Sequence, residues 1–255
     1  MPINRSSKNK SWGGTIVIRG IYSAATGMNA GMERQDVIAN NLANVDTVGF
    51  KQDNVSLRSF GEMLLQEFSR YENYPVGKMG IGVQTIGRYA DLSNGSLQET
   101  GNPCHLAIQG DGVFAVETAN GVRYTRAGNF TLDATGYLVT QDGLKVLGQK
   151  GPLKLEGDFS ISALGEVIQN GEVKDYLQVF AQNGMEKEGH YLLRGQATPL
   201  IKGYQIMQGT LERSNVNAIR EMINMITVSR YYESNQKLLT AQDESLGKAV
   251  NELAR

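Results

Sequence analysis

Residues 217–254 read NAIREMINMITVSRYYESNQKLLTAQDESLGKAVNELA, and their spacing decides the fold. Met222, Met225, Ser229, Tyr232, Gln236, Leu239, Asp243, Leu246, Val250 and Leu253 alternate steps of three and four residues, the a/d spacing of a helical seam. The d-like positions Met225, Tyr232, Leu239, Leu246 and Leu253 are all apolar, whereas Ser229, Gln236 and Asp243 make the a row partly polar. Such a seam is weak as an isolated dimer and suits register selection within a larger bundle. From near Asn217 to Ala254 the helix would be ~57 Å long at 1.5 Å per residue. A compact domain of a 255-residue chain cannot hide that length.

Working outward to the other end, Ile21, Ala25, Met28, Met32, Gln35, Ala39 and Leu42 step by four and three in the same way. This predicts a second amphipathic helix whose stripe is narrow enough for one partner helix. Asn44, Asp46 and Gly49 end it, because these residues favour turns and left-handed conformations. Two such helices at opposite ends of a chain most simply pair with each other and with neighbouring molecules. Residues 1–16, MPINRSSKNKSWGGTI, are polar and basic without helical periodicity and are expected to be a disordered or non-native leader. Gly13-Gly14 can be encoded by GGAGGT, a ribosome-binding sequence, and Val17 by GTG, a start codon. Translation is therefore expected to start at Val17; a genuine basic leader is the alternative, and the intact mass of the native protein separates the two.

Between the helices the pattern changes to short β-prone runs: 83–86, 105–108, 113–116, 122–125, 129–132, 137–140, 159–161, 167–168 and 176–180. Gly110-Asp111-Gly112, Asn120-Gly121, Ala127-Gly128, Thr135-Gly136, Asp142-Gly143 and Asn170-Gly171 separate them, and Asn-Gly and Asp-Gly are strong hairpin signals. No βαβ alternation appears, so the expected fold class is α+β: N- and C-terminal helices pairing as a coiled coil, with a central, mostly antiparallel β domain. The expected divisions are a leader 1–16, an N-terminal helix 17–50, a linker 51–79, a β domain 80–205 and a C-terminal long helix 206–255.

Composition narrows the function. Lys+Arg 25 against Asp+Glu 26 leaves a net charge of -1, so no overall field draws the chain onto nucleic acid or anionic lipid. No segment approaches the ~20 apolar residues that span a bilayer. The single Cys104 excludes an internal disulfide and a paired-cysteine zinc site, and is expected to be a small buried residue. His105 and His190 are the two histidines. Cys104 and His105 adjoin, which on a strand points them to opposite faces and makes a poor nucleophile and base. Gly110-Asp111-Gly112 and Gly80-Ile81-Gly82 do not extend into a nucleotide-binding fingerprint, and Met79 follows Gly77-Lys78 where a P-loop needs a hydroxyl. Asp142, Asp133 and Glu117 read as surface acids rather than a glycosidase pair, and Tyr231-Tyr232 as packing residues. No catalytic, metal or cofactor site is expected.

The two ends closely resemble the flagellar rod and hook family. The N-terminal signature is Asp36-Val37-Ile38-Ala39-Asn40-Asn41-Leu42-Ala43-Asn44-Val45-Asp46-Thr47-Val48-Gly49-Phe50-Lys51. The C-terminal one is Gly209-Thr210-Leu211-Glu212-Arg213-Ser214-Asn215-Val216-Asn217, then 221–226 and 230–235. Residues 107–114 and 124–130 are similar to the β domain of the rod proteins; the length and 146–153 are more similar to proximal than to distal rod members, whereas 211–216 are also at home in the distal kind. The resemblance implies a structural rod subunit of the bacterial flagellar basal body that transmits torque. It further implies export through the flagellar type III apparatus, and assembly with copies of itself and other rod and hook axial proteins. It implies no nucleic-acid or small-molecule partner and no membrane insertion. The assembly residues it points to are Ile21, Met28, Met32, Asn40, Asn41, Leu42, Asn44, Gly49 and Phe50, with Leu211, Glu212, Ser214, Asn215, Val216, Met222, Met225, Tyr232, Leu239, Leu246 and Leu253. Without it, the same pattern reads as a coiled-coil adaptor with a β binding module, or as a hydrolase of the cell wall.

Overall fold

The computed structural model of the chain describes residues 12–59, 82–182, 184–189, 191–196 and 198–253. A long helix stands at each end, α1 (Trp12–Ala43) and α2 (Ala218–Leu253), and the regular elements described between them are β-strands. The described residues fall into two compact units, one drawn from 12–39, 55–59, 82–88 and 222–253, the other from 40–54 and 89–221.

In the second unit the predicted hairpins form an antiparallel sheet. Its strands run in the order Glu186–Glu188, Leu192–Arg194, Gly121–Thr125, Val113–Thr118, Lys145–Gly148, Leu138–Val139 and Thr131–Leu132, with Val179–Phe180 and Gly151–Pro152 added beside it. A three-stranded meander, Phe159–Ile161, Glu166–Gln169 and Glu172–Tyr176, turns at Asn170 and Gly171 with φ of 52° and 82°. Two successive left-handed residues are what a two-residue hairpin loop demands, and Asn-Gly supplies them cheaply. Phe114, Val116, Phe130, Leu138, Val146 and Val167 fill the core, Phe114 and Phe130 meeting edge to face at 5.3 Å. Val113–Val116 are buried consecutively because both sides of that strand are covered, Phe114 and Val116 by the main core and Val113 by Met185 and Leu193.

The structure moves several boundaries. Helix α1 begins at Trp12, so residues 12–16, expected in a leader, are helical; residues 1–11 lie outside the described residues. It ends at Ala43 rather than at 50, and the strand Asp53–Ser59 occupies part of the expected linker; residues 60–81, which hold Gly77-Lys78 and Gly80-Ile81, also lie outside. The strand Tyr204–Gln208 runs across the expected limit at 205, and Thr210–Glu212 follows it. Ile206 explains this, being buried in the β core at 3% exposure. Ala127-Gly128 is no hairpin turn: Leu106 N donates to Gly128 O at 2.9 Å, and a Cβ on Gly128 would lie 1.6 Å from the Leu106 carbonyl oxygen. Cys104 is half-buried against the core rather than buried within it, and His105 hydrogen-bonds Thr100 at 2.8 Å; His190 falls outside the described residues.

The two helices keep the expected period but shift its phase. On α1 the buried positions are Ala24, Gly27, Ala30, Gly31, Val37, Ile38 and Asn41, not the series beginning at Ile21. That series lies one residue round the helix: Met32 is 52% exposed, Ala39 is exposed, and Ile21, Ala25, Met28, Gln35 and Leu42 are half-buried. On α2 the expected d residues Met225, Tyr232, Leu239 and Leu246 do lie on the partly covered face, beside buried Glu221, Val228 and Asn235. The expected a row faces outward except for half-buried Ser229, with Met222 46% and Val250 63% exposed. Small residues cause the shift. A Cβ on Gly27 would lie 3.0 Å from Tyr231 Oη and 3.4 Å from Asn235 Nδ2, and one on Gly20 would lie 2.2 Å from Gln242 Nε2. Close approach of two helices selects glycine and alanine, whereas a hydrophobic pattern selects the bulkier row next to them.

Candidate functional site

The two motif segments meet in the second unit, at the foot of both helices. Asn44 closes α1 by donating from Nδ2 to Asn40 O at 2.8 Å, and Thr47 Oγ1 donates to Asn44 Oδ1 at 3.2 Å. Gly49 then takes φ 68°, and its N–H donates to Glu212 O at 2.9 Å, which brings the first motif onto the second. Its close contact with the Arg126–Ala127 backbone leaves no room for a side chain. Phe50 is 1% exposed beneath Lys187, whose Nζ stands 3.7 Å from the ring centroid and 2.8 Å from Asp53 Oδ2. Asn217 caps α2, accepting from Arg220 N at 3.0 Å through Oδ1.

Three charges lie at the centre of this junction. Glu212 Oε1 accepts from Lys51 Nζ at 2.8 Å and from Gly95 N at 2.8 Å, while Oε2 accepts from Arg126 Nε. Arg126 also donates to the carbonyls of Ile108 at 2.6 Å and Gly110 at 2.8 Å, to Asn94 Oδ1 at 3.0 Å and to Gly112 O. Lys51 donates further to Ser93 O at 2.7 Å. Burial pushes the Glu212 carboxyl up, but the charges and hydrogen bonds of Arg126 and Lys51 together outweigh it and hold the group below the usual carboxylate range. Lys51 is held below the usual ammonium value chiefly by burial.

A second set of polar groups surrounds the helix ends. The Asn41 side chain pairs with both backbone polar groups of one residue, donating to Asp53 O and accepting from Asp53 N, both at 2.9 Å. Its Nδ2 also reaches Glu221 Oε2 at 3.3 Å, and Gln52 Nε2 reaches Glu221 Oε1 at 3.1 Å. Asn215 accepts from Gln52 N at 2.8 Å and donates to Asp91 O at 2.9 Å. Ser214 and Val216 are buried beside it, and Leu211 is half-buried.

Of the expected assembly residues, the structure brings Asn41, Asn44, Gly49, Phe50, Glu212 and Asn215 into this junction. Met28 and Ile21 remain half-buried on α1, Met32 and Met222 are bare, and Leu253 is the last helical residue. Lys51, Arg126 and Glu221 lie in the stretches that carry the resemblance but are not among the expected assembly residues, and Gln52 lies outside those stretches. The available signal was a lone charge inside the apolar alternation Tyr124-Thr125-Arg126-Ala127, since an unpaired charge is not buried. On α2, Ile219, Met222, Ile223 and Ile226 are 69%, 46%, 58% and 55% exposed and share one face at helical spacing. The first unit holds a groove of about 220 Å³ whose lining includes Gly27, Gly31, Leu57, Val83, Val228 and Tyr231. No group of three or more metal-ligating side chains occurs among the described residues, and no described helix is long and apolar enough to cross a membrane.

Long helices at both ends, rooted in one polar junction and bare on an apolar face, define a class of protein that works by association. The chain belongs to the flagellar basal-body rod and hook family, which is a family of structural proteins rather than of enzymes. Residues 21–51 match the flagella basal body rod protein model, 107–169 the flagellar hook protein FlgE/F/G D1 domain, and 207–252 the flagellar basal body rod FlgEFG protein C-terminal model. The flagellar basal-body rod protein FlgG of Bacillus subtilis is 36% identical over 92% of this chain and 99% of its own. FlgG of Agrobacterium fabrum is 34% identical over 89% and 96%, and FlgF of Rhizobium meliloti 32% over 92% and 97%. Proteins of both names match over nearly their whole length, so neither name is singled out for this chain.

Proposed function

We propose that the chain is a structural subunit of the bacterial flagellar basal-body rod, located in the basal body, which joins copies of itself and other rod and hook axial proteins through its terminal helices. The observation that carries this is the match to rod proteins along nearly the full length, with α1 from residue 21 onward in one family segment and α2 up to residue 252 in another. In this reading α1 and α2 pair as a coiled coil along the small-residue face. The bare faces of Met32 and of Ile219, Met222, Ile223 and Ile226 receive neighbouring helices. Contacts between copies that do not close generate an open helical array, which a rod requires, and torque passes through their packing. Export through the flagellar type III apparatus as an unfolded chain fits helices that gain most of their burial on assembly.

The test is complementation of a strain lacking this gene with Ile223→Asp combined with Ile226→Asp. Both side chains are more than half exposed, so the free subunit should keep its thermal midpoint while swimming and basal-body completion are lost. Normal swimming of the double variant would overturn the proposal.

A further inference from the structure

Glu212 belongs to a strand, Thr210–Glu212, that pairs with Leu97–Glu99, yet its carboxylate holds Lys51 from the segment after α1 and Arg126 from the sheet. The three side chains are 1%, 4% and 1% exposed. Without the Glu212 segment both buried cations lose their carboxylate, which costs far more than losing a surface pair, whereas without either cation Glu212 keeps the other. The backbone adds a second tie, Gly49 N to Glu212 O, and Asn41 and Gln52 both grip Glu221 in the first turn of α2. Along the remaining lengths, among the described residues, no ion pair joins α1 residues 20–39 to α2 residues 222–252.

We propose that this junction is a cooperative clasp that fixes the roots of both helices to the β unit in the free subunit, before any neighbour arrives. Without 209–217 the buried cations are stranded, and without 44–53 Glu212 O and Asn215 lose their ties to Gly49 and Gln52, so the two segments order together or not at all. The consequence is pre-organisation: assembly begins from helix roots already side by side, and only the outer turns depend on neighbours. The inference concerns the isolated chain and does not rest on the rod reading.

Hydrogen exchange by mass spectrometry on the full-length free subunit tests it. In the wild type, peptides covering 44–53 and 209–217 are expected to exchange as slowly as the strand Val113–Thr118, with α2 beyond residue 230 exchanging fast. In Glu212→Gln both segments are expected to exchange about 100-fold faster together, the scale of a broken buried ion pair, while 138–148 stay slow. Fast exchange of either segment in the wild type, or a response confined to one of them, overturns the clasp. Where Glu212→Gln loses protection everywhere, Asn215→Ala decides: faster exchange in 50–53 and 209–217 alike supports it, and any other pattern overturns it.

Discussion

Replacing Gly49 by alanine should destabilise the β unit by about 2–5 kcal/mol, the sum of a backbone cost and a packing cost. Gly49 has φ 68°, a conformation that costs an L residue about 1–2 kcal/mol. Its Cβ would stand 2.4 Å from Ala127 N, 2.6 Å from Arg126 C and 2.7 Å from Ala127 Cα. These are backbone atoms next to the buried Arg126, so they cannot swing aside as the end of a side chain would. Overpacking of this kind adds about 1–3 kcal/mol. Gly143 is the control, with φ 79° and nothing within 4 Å of an added Cβ. There alanine meets only the backbone cost of about 1–2 kcal/mol. Urea unfolding of the free subunit, followed by far-ultraviolet circular dichroism, measures both. With a slope of about 2–3 kcal/mol per molar, the midpoint should fall by about 1–2 M for Gly49→Ala and by about 0.5 M for Gly143→Ala. Equal shifts for the two variants would refute the argument that the first motif is pressed against the Arg126–Ala127 backbone.

Gly27→Leu should push α1 and α2 apart at Tyr231 and abolish assembly in a sedimentation assay, whereas Gly31→Ala, whose Cβ would meet nothing nearer than Tyr231 Cδ1 at 4.0 Å, should assemble as the wild type. Glu212 binds its proton less readily when folded than at its unperturbed value of 4.5, so its contribution to stability is complete above that pH and is lost as pH falls through the lower folded value. Thermal midpoints taken between pH of about 6 and about 3 should fall less in Glu212→Gln than in the wild type. Tyr191, pushed up to about 12 by burial and by its hydrogen bond to Asp142, stabilises fully below its ordinary value of 10.0 and loses that contribution as pH rises through the folded value. Tyr191→Phe should flatten the alkaline limb of the same melting curve.

The fold class and the hairpins were legible because each rests on local chemistry. Asn170-Gly171 can hardly be anything but a tight turn, and Asn217 announces the start of α2 by supplying a cap. The strand Asp53–Ser59 escaped notice because Asp53-Asn54-Val55-Ser56-Leu57-Arg58-Ser59 carries few β-branched residues, and it is half-buried rather than core. The junction was half legible. Asn41, Gly49, Glu212 and Asn215 sit in motifs, as do their partners Lys51, Arg126 and Glu221, but partners are separated by up to 180 positions along the chain, as Asn41 and Glu221 are. No local pattern encodes which distant lysine neutralises which glutamate. Only the fold brings them within 3 Å.

The α1 seam and the a row of α2 failed in phase for a reason that bears on assembly. Periodicity fixes the angle between successive contacts, not which of two adjacent heptad rows faces the partner, and one residue is ~100° of rotation on a helix of 3.6 residues per turn. On α1 the row Gly20, Ala24, Gly27, Gly31 lies against the side chains of α2, and the bulkier row Ile21, Met28, Met32 stands beside it, partly bare. On α2, Val228 and Asn235 are buried while Met222, Ile223 and Ile226 are exposed. Each helix therefore carries two faces of different character, one turned to the other helix, with small residues on α1, and an apolar one still partly in water. A single seam saturates with one partner. A helix with a second seam can take another, and repetition of that contact from copy to copy extends without limit unless the rotation closes a ring.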